Sequence, residues 1–94
     1  IGLYPEVVEK IVMEYDELRP DYLILLTKYD EVKILLEAKE GVRRDRIEGV
    51  INEIREKIKE EAFIKVNIEL VGKGELNRLR GQGKVKRIID LRKL

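Results

Sequence analysis

Apolar residues recur along this chain with a helical period in two stretches. They stand three and four apart in residues 5–15 and again from about 45 to 61. A proline at position 5 suits the first turn of a helix, and Asp45 followed by Glu48 is typical of a helix start. We therefore predict two amphipathic helices, with Pro20 in the connection after the first. The apolar positions are Val7, Val8, Ile11, Val12 and Tyr15 in one helix and Ile47, Val50, Ile51, Ile54 and Ile58 in the other.

Three other stretches have the pattern of strands. Residues 22–29 form an almost continuous apolar run, which predicts a strand buried on both faces. Residues 32–38 and 64–70 alternate between apolar and polar side chains, which predicts strands with one exposed face. Asp30-Glu31 is the expected hairpin turn between the first two. Leu35 interrupts the polar side of its strand, so we expect it to pack beneath a neighbouring element.

The order of these elements predicts a fold class. Ile1–Tyr4 has the character of a strand end, and a short strand at about 85–89 is expected at an edge or rim. Strand, helix, strand, strand, helix and strand in that order predict a ferredoxin-like α+β domain, with two helices on one face of an antiparallel sheet. The chain is then a single domain, residues 1–94. This fold hosts many unrelated functions, so it does not by itself indicate chemistry.

Composition restricts the chemistry that the chain can perform. It has 94 residues, 44% of them hydrophobic, which suffices for one packed core. Cysteine and histidine are absent, which removes disulfides, thiolate or imidazole metal ligands and the usual near-neutral acid–base group; no metal site is predicted. Serine is also absent, and Thr27 is the single threonine. Catalysis would therefore rest on carboxylates, lysines, tyrosines or that hydroxyl.

The same composition suggests where the protein works. The 41% charged content, rich in Glu, Lys and Arg, fits a heat-adapted protein. The sequence has neither a run of 18 apolar residues nor a basic and then apolar leader, so we predict no membrane span, no signal peptide and a cytoplasmic location.

Charge is distributed unevenly along the chain. Residues 1–71 carry 12 basic and 17 acidic side chains, a net charge of −5, whereas residues 72–94 carry 8 basic and 2 acidic ones, a net charge of +6. An anionic partner should therefore bind near the C-terminal end.

The most suggestive motif lies in this basic part. Gly81 and Gly83 flank Gln82, and Lys84 follows at once. Glycines permit positive φ and keep bulk away from the lysine, so the segment can present a flexible cation to a phosphate or carboxylate oxygen. Such a motif is common in surface loops, and a solvated basic tail is the alternative interpretation.

Several segments together resemble the C-terminal domain of phenylacetate–coenzyme A ligases. Leu3-Tyr4-Pro5-Glu6-Val7-Val8-Glu9 is similar to the family's "hydrophobic, aromatic, Pro, two variable residues, aliphatic, Glu" stretch. Tyr22-Leu23-Ile24-Leu25 and Asp30-Glu31-Val32-Lys33-Ile34 resemble its strand, turn and strand. The ending Gly83-Lys84-Val85-Lys86-Arg87-Ile88-Ile89-Asp90-Leu91-Arg92 is similar to its "Gly-Lys-small-x-Arg-aliphatic-aliphatic-Asp-x-Arg" terminus and is the most specific part.

The resemblance implies an adenylate-forming enzyme. In that class a carboxylate and ATP give an acyl-adenylate, from which coenzyme A then displaces AMP. ATP and coenzyme A are substrates, with Mg²⁺ in the full enzyme, and this chain alone binds none of them. A large N-terminal domain, in the same chain or a separate subunit, holds the ATP and acid pockets. The small domain is a lid with a different pose for each half-reaction.

The resemblance also implies roles for individual residues. Lys84 is the lysine that reaches the α-phosphate and carboxylate oxygens during adenylation. A cation there would stabilise charge developing on the phosphoryl oxygens. In the second pose Ile1–Tyr4 turns toward the thioester site. Arg80, Gly81, Gly83 and Arg87 are the candidate substrate- or nucleotide-binding residues, although a salt-bridged tail is the alternative for Arg87. Glu9 matches the family and is expected to be structural.

Some features depart from the family. Its loops usually carry Pro-Arg-Ser before the lysine, where this chain has Leu79-Arg80-Gly81. The hinge connector and the nucleotide pocket are not in residues 1–94, so we expect this chain alone to be inactive.

Other functions remain open from the sequence. One is the lid of a synthetase that adenylylates a deazaflavin cofactor, which lacks the coenzyme A step. Another is a free-standing ferredoxin-like module that binds a small molecule or pairs its sheet edges in a homodimer. Nucleic-acid binding is disfavoured because the predicted strands lack a cluster of aromatic side chains for base stacking.

Overall fold

The computed structural model describes residues 5–27, 31–80 and 88–90. Within them the chain forms a four-stranded sheet and three helices, so the ferredoxin-like α+β class is confirmed. The sheet order is β3-β2-β1-β4. In chain order the elements are α1 (Pro5–Val12), β1 (Leu18–Leu26), β2 (Val32–Ala38), α2 (Arg44–Ala62), β3 (Asn67–Val71), α3 (Glu75–Arg80) and β4 (Ile88–Asp90).

The sheet is mixed, not wholly antiparallel as the sequence suggested. β1 and β2 pair antiparallel, with Leu26 opposite Val32, as the predicted hairpin requires. β3 runs parallel to β2, and β4 runs parallel to β1. Helix α2 is the reason for the first parallel pair, because a crossover of this length returns the chain to the end of the sheet where β2 began. The strand expected at residues 1–4 lies outside the described residues.

The main core lies between one face of the sheet and helices α1 and α2, as predicted. Ile24, Ile34 and Leu36 from the strands meet Ile54 and Ile58 of α2, and all five are at most 1% exposed. The remaining core positions follow the predicted periods. They are Val8, Ile11 and Val12 of α1, Ile47 and Val50 of α2, Leu18, Tyr22 and Val32 of the strands, and Val66 before β3.

The opposite face of the sheet carries a second, smaller core. Leu23 of β1 and Leu35 of β2 pack there against Leu76, which is fully buried on α3. The expectation that Leu35 packs beneath a neighbouring element is thus confirmed. The covering helix was not predicted, because its six residues are too few to show a helical period.

The first strand begins earlier than its apolar run. β1 starts at Leu18, so Pro20 lies within the strand and not in the connection before it. Leu18 pairs with Ala38 and Tyr22 pairs with Leu36, so β1 advances four residues where β2 spans only two. A bulge of this kind leaves strand positions unpaired, and proline is tolerated there because it has no N–H to donate.

Helix α2 ends at an unusual residue. Phe63 caps it in the left-handed conformation, with φ of 57°, and its N–H donates to the Lys59 carbonyl at 3.0 Å. The phenyl ring is 89% exposed. The end of α2 therefore holds a large apolar side chain in a conformation that glycine adopts more readily.

Candidate functional site

One of the predicted site residues lies within the described part of the chain, and the others lie outside it. Arg80 is the last residue of α3. Gly81, Gly83, Lys84 and Arg87 lie outside the described residues, in a stretch that we call the Lys84 segment (residues 81–87). The structure therefore gives the two ends between which this segment runs, Arg80 and the first residue of β4.

The Arg80 guanidinium is held by the protein itself. Its Nη1 donates to Asp21 Oδ1 at 2.7 Å and its Nη2 donates to Asp21 Oδ2 at 2.5 Å. Nη2 also donates to Asn77 Oδ1 at 2.9 Å. The side chain is 6% exposed, and the hydrogen bond with Asp21 raises the pKa of Arg80 above its ordinary value. A paired, two-pronged contact of this kind fixes orientation as well as distance.

Asp21 reaches α3 because of its position in the alternation of side chains along β1. It follows Pro20, and its Oδ1 also accepts the N–H of Tyr22 at 2.8 Å. Successive strand residues point to opposite faces, so Asp21 faces α3 while Tyr22 enters the main core.

The beginning of α3 is held by a carboxylate from β2. Glu37 Oε1 accepts the N–H of Gly74 at 3.2 Å and Oε2 accepts the N–H of Leu76 at 3.3 Å. Glu37 is 4% exposed, and Arg19 lies 3.7 Å from it. Gly74 has φ of 82°, a conformation that glycine adopts without strain. A carboxylate at this position satisfies free N–H groups and interacts favourably with the helix dipole.

Strand β4 holds the other end of the Lys84 segment. Ile88 pairs with Ile24 of β1, and Ile89 pairs with Leu25. Both ends are thus attached to the same strand, Arg80 at Asp21 and Ile88 at Ile24. Lys84 is four residues along the chain from each end.

The other face of β1 is attached to the start of the chain. The Tyr22 hydroxyl donates to the carbonyl of Pro5 at 3.1 Å, and Tyr22 is 2% exposed. Pro5 is the first residue of α1 and directly follows residues 1–4, which we call the opening segment. Adjacent residues of β1 therefore hold the ends of two different segments.

A second concave surface lies at the start of α2, lined by Arg43, Asp45, Arg46 and Gly49. Its arginines are already paired: Arg43 contacts Asp45 at 3.1 Å and Arg46 contacts Glu17 at 2.6 Å. In the part of the chain that the structure describes, no group of three or more Asp, Glu, His or Cys side chains is placed to hold a metal ion. No helix within these residues is long and apolar enough to cross a membrane.

Sequence reasoning did not single out Asp21, Glu37 or Leu76. One signal could have indicated Glu37, because it lies two residues after Leu35 on the same strand face. If an element covers Leu35, it also approaches Glu37. The contact between Asp21 and Arg80 joins residues 59 apart and has no comparable local signal.

Comparisons with known proteins identify the family and the fold of this chain. The sequence model of the family described as "AMP-binding enzyme C-terminal domain" matches residues 1–92. No curated protein matches the chain.

Solved structures of ligases share the fold. A domain of phenylacetate-coenzyme A ligase from Bacteroides vulgatus is 26% identical, with a TM-score of 0.78 over 95% of this chain and 84% of that one. 2-Hydroxyisobutyryl-CoA ligase with 2-HIB-AMP and CoA, in the thioesterification state, is 19% identical, with a TM-score of 0.77 over 94% of this chain. The same ligase in the postadenylation state with 2-HIB-AMP is 21% identical, with a TM-score of 0.75 over 97%.

The chain spans only 19–20% of the length of the 2-hydroxyisobutyryl-CoA ligase chains. The domain of phenylacetate-coenzyme A ligase, by contrast, is nearly matched in length. The resemblance seen in the sequence is thus confirmed, and this chain belongs to the family of AMP-binding enzyme C-terminal domains.

Proposed function

We propose that this chain is the lid of an AMP-forming acid–coenzyme A ligase and that it supplies Lys84 to the adenylation step. The observation that carries the proposal is the family match over residues 1–92, which includes the Gly83-Lys84 motif. The similar 2-hydroxyisobutyryl-CoA ligase holds an acyl-adenylate and coenzyme A in a chain of which this domain spans a fifth. An N-terminal adenylation domain, in the same chain or a separate subunit, would supply the ATP and acid pockets, and Mg²⁺ would enter with ATP.

The proposed reaction has two steps. A carboxylate oxygen of the acid attacks the α-phosphorus of ATP, forming an O–P bond while the bond to pyrophosphate breaks. The sulfur of coenzyme A then attacks the carbonyl carbon of the acyl-adenylate. A C–S bond forms, the C–O bond to AMP breaks, and the thiol proton is released. Negative charge builds on the phosphoryl oxygens as the acid attacks in the first step, and on the departing AMP oxygen in the second. Lys84 would accelerate adenylation selectively because rotation of the lid withdraws it before the second step.

The structure supports Lys84 for this task through its surroundings. The helix before the Lys84 segment and the strand after it are both fastened to β1, so the segment leaves a fixed frame. Gly81 and Gly83 would let the backbone approach the substrate, and Arg80 and Arg87 would add positive charge beside it. Arg80 is already paired with Asp21. Its main contribution would therefore be to position the start of the Lys84 segment.

The second step requires a different face of the lid. Pro5, which follows the opening segment, is attached to β1 from the α1 side, whereas Arg80, which precedes the Lys84 segment, ends α3 on the opposite side. Rotation of the lid as one body would present each segment in turn. This chain resembles 2-hydroxyisobutyryl-CoA ligase nearly equally in its postadenylation and thioesterification states, which supports a lid that rotates without refolding.

We propose an aryl acid of the phenylacetate class as the substrate. The support is the 26% identity to a domain of phenylacetate-coenzyme A ligase. Pyrophosphate exchange in the complete enzyme, with phenylacetate tested first and other aryl and short acyl acids beside it, measures this directly. Exchange that short acyl acids support and that no aryl acid supports would contradict the substrate class.

The role of Lys84 is tested by separating the half-reactions in the complete enzyme. Lys84→Ala should lower acid-dependent pyrophosphate exchange by about a hundredfold or more, the loss typical of removing one transition-state donor. Thioester formation from supplied acyl-adenylate and coenzyme A should change little. Lys86→Ala, two residues away in the same segment, is the matched control and should leave both rates near wild type. Equal losses of both half-reactions in Lys84→Ala would contradict the assigned role.

The domain arrangement is tested by the mass of the native polypeptide. An antibody against this domain should detect, in source cells, either a chain several hundred residues longer or a chain of this size that co-purifies with a large subunit. A chain of this size with no large partner would favour the free-standing module instead.

A further inference from the structure

Two neighbouring residues of β1 make contacts on opposite faces of the sheet. Asp21 binds Arg80, which precedes the Lys84 segment, and Tyr22 binds Pro5, which follows the opening segment. The proposed function assigns these two segments to different half-reactions. The structure therefore attaches the described residues next to the two segments, Arg80 and Pro5, to consecutive residues of one strand.

The Asp21 contact controls where α3 ends. α3 has six residues, too few to be stable alone, so its position depends on its attachments. Leu76 anchors its middle and Glu37 its first turn, while the pair with Asp21 fixes its last residue. A change at Asp21 would therefore move the point at which the Lys84 segment begins while Leu76 and Glu37 still hold the rest of the helix.

The Tyr22 contact acts on the other side of the sheet. Its hydroxyl reaches the Pro5 carbonyl from within the main core, and its ring is 2% exposed. α1 is otherwise held through the apolar contacts of Val8, Ile11 and Val12. Removing the hydroxyl alone would remove this hydrogen bond to the first residue of α1 and leave those apolar contacts in place.

We propose that Asp21 and Tyr22 are positioning residues for separate half-reactions, Asp21 for adenylation through Arg80 and Tyr22 for thioester formation through Pro5. The inference rests on the proposed function of the two segments. The two side chains lie on opposite faces of β1. They share backbone contacts, because Asp21 Oδ1 accepts the Tyr22 N–H at 2.8 Å and Arg80 Nη1 donates to the Tyr22 carbonyl at 3.5 Å. The separating variants are therefore Asp21→Asn, which keeps an acceptor oxygen for that N–H, and Tyr22→Phe, which changes only the hydroxyl.

The test measures both half-reactions of the complete enzyme in two variants, with phenylacetate, or the acid that supports exchange, and its acyl-adenylate as probes. Asp21→Asn removes the charge that holds the Arg80 guanidinium. It should lower pyrophosphate exchange roughly tenfold, because small displacements of a reacting group are costly, and leave thioester formation within about twofold. Tyr22→Phe should show the reverse, a three- to tenfold loss of thioester formation, as about one hydrogen bond implies.

Matched controls separate positioning from general effects. Arg78→Lys alters an arginine on the same helix whose guanidinium contacts only Glu75 of that helix among the described residues, at 2.6 and 3.2 Å. Tyr15→Phe removes a different hydroxyl, on a ring that packs under the Lys57 ammonium at 4.7 Å. Both should leave the two rates near wild type.

A second measurement excludes a purely structural effect of Asp21. If Asp21 acts through the Lys84 segment, Asp21→Asn should cause no further loss of exchange in a Lys84→Ala background. Arg80→Lys is the alternative variant if Asp21→Asn does not fold. It keeps the charge and loses the paired contact, and should resemble Asp21→Asn in both assays.

The outcomes distinguish this inference from the proposed function. Losses confined to one half-reaction per variant support it, whereas equal losses in both, or none in either, overturn it. Suppose that Lys84→Ala loses adenylation selectively while Asp21→Asn loses both rates equally. The proposed function would then stand, and Asp21 would be rejected as a positioning residue. Loss of both rates in Lys84→Ala would instead refute the proposed function.

Discussion

Asp21 and Arg80 form a two-pronged ion pair, with oxygen–nitrogen distances of 2.7 and 2.5 Å, that joins β1 to the last residue of α3. The Arg80 side chain is 6% exposed and that of Asp21 23% exposed. The Arg80 guanidinium is largely removed from water and therefore depends on its carboxylate partner, which is itself only partly buried. Removing one leaves an uncompensated charge, whereas replacing both with apolar groups of similar size often costs nothing.

Asp21→Ala should therefore lower the free energy of unfolding by about 3 kcal/mol, measured by urea unfolding of the 94-residue chain. The double variant Asp21→Leu/Arg80→Met should lose much less, since no charge is left buried. A double variant as unstable as the single one would show that the ion pair itself stabilises the fold.

Leu76 should be the main apolar anchor of α3. It is fully buried against Leu23 and Leu35, so Leu76→Ala should cost about 2–4 kcal/mol of unfolding free energy. Leu79→Ala is the control on the same helix, where the side chain is 42% exposed and the expected cost is within about 0.5 kcal/mol. Equal losses at the two positions would mean that α3 does not depend on this contact.

Glu37 should determine whether the first turn of α3 forms. Glu37→Gln keeps the shape and one acceptor oxygen but loses the charge, at a cost of about 1–2 kcal/mol. Amide hydrogen exchange should accelerate at Gly74 and Leu76, whose N–H groups bind this carboxylate. Glu40→Gln is the control, because the Glu40 side chain is 80% exposed and pairs with Lys73 at the surface. Unchanged exchange in Glu37→Gln would contradict a capping role.

Stability should fall in acid partly through Glu17. A hydrogen bond from its own backbone N–H, followed by that of Arg46, lowers the pKa of Glu17 below the ordinary 4.5. The unfolded chain then binds the proton more readily, so the contribution of Glu17 is complete above about pH 4.5 and is lost as the pH falls below it. In Glu17→Gln, unfolding midpoints between pH 3 and 7 should vary less with pH. High salt should reduce the difference from wild type, since salt screens the contact with Arg46, and an identical pH profile would exclude this carboxylate.

Phe63 should be replaceable with a gain in stability. Its left-handed φ of 57° is unfavourable for a side chain, and its ring, 89% exposed, contributes little burial. Phe63→Gly should raise the free energy of unfolding by about 0.5–1 kcal/mol, whereas Phe63→Ala keeps the strained conformation and should gain nothing. A lower melting temperature in Phe63→Gly would show that the ring makes a contribution that its exposure conceals.

The sequence by itself determined the elements whose periods are long enough to be recognised. Along the nineteen residues of α2, apolar side chains recur at a spacing that places them on one face of a helix. In β2, apolar and polar residues alternate, as in a strand with one buried face. The same local information located the hairpin between β1 and β2. Several short stretches read together, of which the ending around Gly83-Lys84 is the most specific, predicted the family that the match over residues 1–92 confirms.

Tertiary structure alone decided α3 and the direction of the outer strands. Six residues cannot make a helix through their own propensities, so α3 exists because Leu76, Glu37 and Asp21 hold it against the sheet. The parallel pairing of β3 follows from the way α2 crosses the sheet. The polar contacts that hold α3 join residues 37 to 59 positions apart, and local periodicity carries no information at that separation. The candidate site followed the same division, because the sequence predicted Lys84 and the fold supplied Asp21 and β4, which hold the described residues on either side of its segment.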